Sequence, residues 1–255
     1  IQLGRRTFHC HRTYGHGTLG LTDAIKYSCN VFFYRTAQRT GGAALIEMAR
    51  RLGLGSKTGV RVPGEAGHDR HFPRAAQGGE LLNLAIGQGR LVVTPLQVAQ
   101  MVAAVANDGV LAPPRVVREL RPFDTDSIAA EVLPDPRRPR SLGISKRAID
   151  AVRLGLYKVV NEYGGTGNRA FRNFDRPFKV CGKTSTAQRG TGQPNVGWFV
   201  GYAPHDKPRV AFAIAIDGLT ARQGGGSTVA PVARKILDVM PLDLLGLEQA
   251  KQDPK

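Results

Sequence analysis

The sequence predicts a domain of the α+β class, in which helices come first, antiparallel strands follow and a helix closes the chain. Apolar residues have helical spacing up to about residue 160, whereas the last third consists of short apolar runs between Gly/Pro turns. The chain has 255 residues, of which 42% are hydrophobic, so it can bury one sizeable core, with or without a sub-domain.

Capping residues and glycines bound the predicted helices. The predicted helical segments are 24–27, 31–34 continuing towards Gly41-Gly42, 43–52, 97–107, 146–160 and 228–240. Thr22-Asp23 precedes the first segment, Thr94-Pro95 opens the fourth and Ser145 caps the fifth. Residues 53–80 are rich in glycine and proline, which indicates a loop.

Three apolar runs predict the strands of a C-terminal sheet. They are 178–181, 197–202 and 210–216, with hairpin-like connections at 189–195 and 203–208. These runs are far shorter than the roughly 20 residues that a membrane helix needs. We divide the chain into a partial domain at 1–245 and a polar tail at 246–255. The domain comprises a mainly helical part (1–112), an extended Pro- and Arg-rich linker region (113–143) and a C-terminal part (144–245).

The charge balance is strongly basic, with 36 basic and 20 acidic residues and a net charge of +16. Such an excess suits an anionic partner such as nucleic acid or a membrane surface. The basic residues are spread along the whole chain, however, and the tightest cluster, Arg137-Arg138-Pro139-Arg140, has no aromatic residues interleaved with it. We therefore interpret the charge as solvated faces and predict no nucleic-acid partner.

Two polar tracts carry the candidate chemistry. Ser28-Cys29-Asn30 lies between two predicted helices, and in a tight turn a hydroxyl and an amide two residues apart can converge on one site. Lys183-Thr184-Ser185-Thr186 lies on the first strand of the C-terminal sheet, where an ammonium and several hydroxyls suit the carboxylate of a peptide. A polar edge strand without a function would have the same composition.

The order of the two tracts resembles that of the penicillin-recognising serine enzymes, in which Ser-x-Asn is followed much later by Lys-Thr-Gly on a strand. Other segments extend the resemblance over almost the whole chain. They are His16-Gly17, 21–34, 52–55, Thr58-Gly59-Val60, Pro63-Gly64-Glu65, 86–89, 94–97, 106–109 and 198–204. Together they resemble class B penicillin-binding proteins, and the positions of His16 and Cys29 favour the elongation-type, rod-shape branch over the division branch.

The resemblance implies the penicillin-binding, serine β-lactamase-like transpeptidase fold, with an antiparallel sheet flanked by helices and a helical sub-domain. Lys57-Thr58-Gly59 spells the strand motif literally, but it follows Ser28 closely inside a Gly-rich loop, so we place the motif at 183–185. There the chain has Ser185 where the family usually has glycine. The alternatives are that its side chain crowds the substrate or shifts the strand, which would lower β-lactam affinity, or that it has little effect.

In this family a Ser-x-x-Lys motif, several tens of residues before Ser-x-Asn, supplies the nucleophile and its base. No serine precedes Ser28. The later serines without a lysine three residues on include Ser56, Ser141, Ser145 and Ser227. We therefore expect the chain to be a C-terminal fragment of the transpeptidase domain that lacks the acylated serine and is inactive alone.

The resemblance also implies a role for each remaining site residue. Ser28 would relay protons, and Asn30 would bind a carbonyl of the donor stem peptide. Lys183 would set a positive potential, and Thr184 would hold the terminal carboxylate of D-Ala-D-Ala or of a β-lactam. The backbone N–H of Thr186, after Ser185, would be an oxyanion donor.

The implied activity is that of a peptidoglycan D,D-transpeptidase, anchored in the inner membrane and working on its periplasmic side. The implied partners are the stem peptide, β-lactams and membrane proteins of the elongation machinery. A D,D-carboxypeptidase or β-lactam sensor of the same fold is an alternative. A non-catalytic scaffold of the elongation machinery is another, and a zinc-dependent nucleic-acid module remains an outside possibility on charge alone.

Three cysteines and nearby histidines raise the question of a metal site. An odd number of cysteines, namely Cys10, Cys29 and Cys181, predicts no disulfide framework, although one disulfide and a free thiol remain open. The family resemblance implies a zinc ion beside the active site, held by Cys10, His16, Cys29 and an upstream ligand, with His11 as an alternative to His16. Alternatively the three residues are unrelated and Cys29 is a small buried residue. We expect Cys181 in the core and no organic cofactor.

Overall fold

A helical first part and a C-terminal sheet make up the described residues, 1–60, 72–116, 138–190 and 192–247, of the computed structural model. The helices are α1 (Leu21–Tyr27), α2 (Asn30–Thr40), α3 (Gly42–Arg51), α4 (Gly78–Ala85), α5 (Pro95–Ala106), α6 (Lys146–Asn161) and α7 (Ala230–Val239). The strands are β1 (Gln2–Leu3), β2 (Arg6–Thr7), β3 (Val110–Leu111), β4 (Arg140–Ser141), β5 (Cys181–Ala187), β6 (Asn195–Ala203) and β7 (Val210–Leu219). A π-helical turn (Gly225–Val229) leads into α7, and a 3₁₀ turn (Asp243–Leu245) follows it.

The three long strands form one antiparallel sheet in the order β5–β6–β7. Lys183 of β5 lies opposite Val200 of β6, and Gly201 of β6 lies opposite Phe212 of β7. Within the described part of the chain β5 is therefore an edge strand. Two short two-stranded antiparallel sheets, β1–β2 and β3–β4, complete the β-structure of this part. The architecture confirms the predicted α+β class.

Helices cover both faces of the sheet. On one face the fully buried Phe199 belongs to a core shared with Ala233 and Leu237 of α7. On the other face Tyr202 packs in a cluster with Val102 of α5. Successive residues of a strand point to opposite faces, so β6 supplies side chains to both cores. The sheet is consequently held rigidly between two helical layers.

A second core lies in the helical part, where α2, α3 and α4 meet. Its buried members are Ala37, Ile46, Leu54, Phe72, Ala76 and Leu81. The start of α5 beside it has the predicted cap, because the Thr94 hydroxyl accepts from Gln97 N–H and the Gln97 side chain accepts from Thr94 N–H. Ser145 likewise accepts from Ala148 N–H at the start of α6.

The structure differs from the sequence prediction in three elements. Helix α4 begins at Gly78, inside the predicted loop, because two glycines at its start obscure the apolar pattern of Leu81-Leu82. Strand β5 begins at Cys181, three residues after the start of the apolar run that predicted it. The closing helix is preceded by a π-helical turn from Gly225.

Several predicted segments lie partly or wholly outside the described residues. They are the linker region 113–143, the tail 246–255, the arginine cluster at 137–140 and the family-like segment Pro63-Gly64-Glu65. The division into these parts stays a prediction. Over the ranges that the structure describes, no helix has the length and apolar character that crossing a membrane requires.

Helix α1 packs closely against α6. Gly155 makes this possible, since its Cα faces the side chain of Ile25 and a Cβ there would lie 2.7 Å from Ile25 Cδ1. Two ion pairs flank the contact: Lys26–Glu162 at 2.8 Å and Lys158–Asp23 at 2.9 Å. The end of α1, and the turn that follows it, are thereby anchored to α6.

We expect Gly155→Val to lower the free energy of unfolding by about 2 kcal/mol, because the added methyl groups overpack the contact with Ile25. The measurement is urea denaturation followed by the fluorescence of Trp198, the one tryptophan of the chain. Leu154→Val is the matched control, since it places valine on the same helix at a side chain that is 45% exposed. Equal stability of the two variants would contradict close packing of α1 on α6.

Candidate active site

The Ser28-Cys29-Asn30 tract forms the turn between α1 and α2. Cys29 N–H donates to Ala24 O (3.0 Å) and Ser28 N–H donates to Ile25 O (3.1 Å), which is the Schellman pattern of a helix end. Ser28 occupies its left-handed position, with φ of 53°. Glycine usually fills that position, and a residue with a Cβ costs about 1–2 kcal/mol there. The strain indicates that this turn serves more than the fold.

The tract on β5 meets this turn. The Lys183 ammonium donates to Ser28 Oγ at 2.8 Å and to Thr184 O at 2.8 Å. The two residues of the first bond are 155 positions apart in sequence. Asn30, at the start of α2, points its amide to His9 O at 3.3 Å. The helix turn and the edge strand therefore face each other.

A cavity of about 940 Å³ lies between these two walls. All six predicted active-site residues line it: Ser28, Asn30, Lys183, Thr184, Ser185 and Thr186. Ser185 is exposed, whereas Thr184 is buried. The literal motif copy at 57–59 is absent from the described lining, and its Thr58 is buried in the helical part.

The cavity is electropositive. Its described lining includes the cations Arg6 and Lys183 and contains no carboxylate side chain. Burial lowers the pKa of Lys183 to about 8, because removal from water disfavours its charged form. Burial, and next the charge of Lys183, also lower the pKa of His11 in the same lining. Among the described lining residues, the Lys183 ammonium has no carboxylate to pair with, so it would be available to a carboxylate that entered the cavity.

Two further residues, Thr166 and Gln88, complete the cavity wall. The sequence analysis did not assign either of them to the site. The Thr184 hydroxyl donates to Thr166 Oγ1 at 2.7 Å, and Thr166 N–H donates to Lys26 O at 3.3 Å. Gln88 donates from Nε2 to Thr186 O at 2.9 Å. Thr166 is flanked by glycines in a segment without regular periodicity. Gln88 belongs to a family-like segment, but its neighbours in sequence indicate no contact with β5.

The predicted metal ligands come together at the outer side of the turn. One ligand atom each of Cys10, His16 and Cys29 lies within 4.8 Å of the other two. Cys10 Sγ is 3.5 Å from His16 Nδ1, and 3.8 Å from the Nδ1 of His11. Burial lowers the pKa of His16 and raises the pKa of the Cys29 thiol.

The donor set fits a zinc ion. Ligands at zinc-to-sulfur and zinc-to-nitrogen distances of about 2.3 and 2.1 Å lie roughly 3.6 Å apart in a tetrahedron. The distance between Cys10 Sγ and His16 Nδ1 is 3.5 Å. A lowered imidazole pKa favours the neutral ligand form of His16. Cys181 lies elsewhere, fully buried on β5 beside His205, where burial raises its pKa to about 12.

Comparison with known proteins supports the interpretation of this geometry. Residues 5–238 match the family described as penicillin binding protein transpeptidase domain. The peptidoglycan D,D-transpeptidase MrdA of Haemophilus influenzae is 29% identical over 247 residues, covering 88% of this chain and 36% of MrdA. The penicillin-binding protein PbpB of Mycobacterium tuberculosis is 34% identical over 251 residues, covering 92% of this chain and 36% of PbpB.

Solved structures agree with these relatives. Pseudomonas aeruginosa PBP2 in complex with WCK 5153 has a TM-score of 0.75 and 28% identity, covering 100% of this chain and 55% of that one. Helicobacter pylori PBP2 has a TM-score of 0.74 and 26% identity, covering 94% of this chain and 43% of that one. The chain thus spans less than two thirds of the relatives it matches. The predicted fold and the class B, elongation-type resemblance are confirmed, and the chain belongs to the penicillin-binding protein transpeptidase family.

Proposed function

We propose that the complete protein is a peptidoglycan D,D-transpeptidase that cross-links stem peptides through a serine acyl-enzyme. The observation that carries the proposal is the 2.8 Å hydrogen bond from Lys183 to Ser28 across an electropositive cavity. The name of the relative MrdA, a peptidoglycan D,D-transpeptidase, supports the same chemistry. The acylated serine would come from a Ser-x-x-Lys motif outside these 255 residues.

The reaction would proceed in two acyl transfers. The serine hydroxyl adds to the carbonyl of the penultimate D-alanine, and the terminal D-alanine leaves as the amine takes up a proton. Ser28, bonded to Lys183, would relay that proton. An amine of a second stem peptide then adds to the acyl-enzyme, which releases the serine and forms the cross-link.

The chain's own residues would bind and orient the donor peptide. Thr184 and the charge of Lys183 suit its terminal carboxylate, since hydrogen bonds to charged groups are the stronger ones. The Asn30 amide, at the cavity wall, suits a backbone carbonyl of the stem. Thr186 N–H points away from β6 on the edge of the sheet, where an oxyanion donor would have to lie.

Relatives in the same family support proposals for the partners and the location of the protein. The structure of Helicobacter pylori PBP2 in complex with MreC has been solved. It aligns with 94% of this chain with a TM-score of 0.72. We propose a membrane protein of the elongation machinery as a partner, and membrane anchoring on the periplasmic side. The same fold and cavity support β-lactams as ligands.

We propose that the Cys/His cluster of Cys10, His16 and Cys29 binds a zinc ion. Cys10, His16 and Cys29 would hold it, leaving one tetrahedral position for a further ligand. A bound zinc ion would supply a structural cross-link between the N-terminal segment and this turn. Because Cys29 is the middle residue of the turn, its ligation would fix Ser28 and Asn30 on either side.

The pH dependence of stability tests the burial of Lys183. Its pKa is about 8 in the folded chain and about 10.5 when exposed. Between these values the unfolded state holds more protons, so the contribution of Lys183 to the free energy of unfolding rises with pH from about 8 to about 10.5. We expect urea denaturation to show this rise in the parent and in the exposed-lysine control Lys207→Met when each is measured against Lys183→Met, since the opposite contribution of the buried Cys181 thiol is common to all three. An identical pH dependence of the free energy of unfolding in all three would refute the burial.

Acylation by fluorescent penicillin tests the proposed function. The complete protein should form a covalent adduct, whereas the 255-residue chain should form none. We expect Thr184→Val to lower the second-order acylation rate constant by about 10- to 100-fold, the cost of one hydrogen bond to a charged group. Thr36→Val is the control, because the exposed Thr36 hydroxyl donates to Phe32 O within α2.

Transfer to an amine in preference to water distinguishes a transpeptidase from a carboxypeptidase. Absence of any adduct on the complete protein would contradict the proposed activity and favour a non-catalytic scaffold of the elongation machinery.

Metal analysis tests the zinc proposal. The purified complete protein should contain about one zinc per chain, which Cys10→Ser and His16→Asn should each release. Cys181→Ala is the control, since that cysteine lies on β5, apart from the cluster. Retention of zinc by both ligand variants, or its absence from the parent, would rule the site out.

A further inference from the structure

The outer edge of β5 presents alternate residues to the cavity. In an antiparallel strand the N–H and C=O of one residue point to the same edge, and successive residues alternate. Thr184 O accepts from Lys183 Nζ, and Thr186 O accepts from Gln88 Nε2, so residues 184 and 186 point away from β6. The N–H of Thr186 consequently points into the same space as its carbonyl.

The side-chain amide of Gln88 contacts this edge like a neighbouring strand. Its Nε2 donates to Thr186 O at 2.9 Å, and its Oε1 accepts from Gln188 N–H at 3.3 Å. One amide therefore serves two consecutive outward positions of the edge. These contacts join residues 98 and 100 positions apart in sequence.

The backbone around Gln88 is anchored to the end of α4. Gln88 N–H donates to Asn83 O at 2.9 Å, and Gly87 N–H donates to Leu84 O at 3.0 Å. Gly87 and Gly89, on either side, have left-handed φ values of 73° and 96°, which residues with a Cβ rarely adopt. Because α4 is fixed by the helical core, the position of the Gln88 amide is set by the fold.

Thr186 is held from its other side by the π-helical turn. Gly225 N–H donates to Thr186 Oγ1 at 3.2 Å, and any side chain at Gly225 would collide with the backbone of Ser185. The hydroxyl of Thr186 is thus bound by one element and its carbonyl by another. Loss of the Gln88 contact would leave the Thr186 carbonyl, at the outer edge of β5, without this partner.

We propose that Gln88 is a positioning residue of the transpeptidase site, which fixes the end of β5 so that the Thr186 N–H stays in place to stabilise the oxyanion. The inference rests on the proposed function and adds a residue to it. Gln88 acts through the backbone of Thr186 and needs no contact with the substrate. Its removal should therefore slow the chemical step and leave substrate binding intact.

The test separates these two quantities by stopped-flow acylation of the complete protein with a chromogenic cephalosporin. We expect Gln88→Ala to lower the acylation rate constant about tenfold or more, because small misplacements of catalytic groups are costly. The dissociation constant of the non-covalent complex should stay within about twofold of the parent value. Gln88→Glu, of nearly equal size, cannot donate to Thr186 O and should slow acylation as much.

Gln100→Ala is the matched control. The Gln100 amide also donates to a backbone carbonyl, Ala112 O at 2.9 Å, but away from the cavity. Its acylation rate constant should equal that of the parent. Hydrogen exchange on the same proteins gives a readout independent of acylation. The amides of residues 186–188 should exchange faster in Gln88→Ala, which removes the acceptor of Gln188 N–H, and at the parent rate in Gln100→Ala, with equal urea midpoints in both.

The outcomes distinguish the inference from the function on which it rests. A parent protein that forms no acyl-enzyme overturns the proposed function, and hydrogen exchange still tests the contact between Gln88 and β5. An acylating parent with parent-like rate constants in both Gln88 variants overturns the inference alone. Weaker binding at an unchanged acylation rate constant, or unchanged exchange at residues 186–188, also overturns it.

Discussion

The hydrogen bond between the Lys183 ammonium and the Ser28 hydroxyl is the contact on which the rest of the cavity depends. It joins the left-handed end of a helix to the edge of a sheet, and it places a partly buried cation beside neutral acceptors within the part of the chain that the structure describes. Such burial is unfavourable, which is why the pKa of Lys183 falls to about 8. An anionic group entering the cavity would supply a counter-charge, which is the physical basis of the proposed preference for a carboxylate.

A closed ring of contacts fixes the positions of Lys183 and Ser28 relative to each other. From the Ser28 turn the ring passes back along α1 to Lys26, whose carbonyl accepts from Thr166 N–H. Thr166 bonds the Thr184 hydroxyl, and the preceding residue of β5, Lys183, bonds Ser28 and closes the ring. Both cavity walls are therefore joined by more than one route, which favours a preorganised site. The Cys/His cluster lies on the outer side of the turn, and the Gln88 amide lies at the far end of the strand.

Much of this could be predicted from the sequence because it depends on near neighbours. The caps at Thr94 and Ser145 are contacts within one helical turn, so both helix starts could be predicted. The order of Ser28-Cys29-Asn30 and 183–186, with the surrounding segments, was enough to indicate the family and the six candidate residues that line the cavity. The cluster of Cys10 with His16 and Cys29 followed from the same resemblance.

Other features were decided only by the tertiary structure. Helix α4 forms where glycines obscure its pattern, and packing of its leucines into the helical core outweighs that weak local preference. Thr166 and Gln88 join the site through contacts across 18 and 98 residues, which no local period encodes. The sequence by itself determined the six motif residues of the site and the helix caps, since motifs and caps are local. Their distances, the burial that lowers the pKa of Lys183 and the clamp on β5 arise only when distant segments pack together.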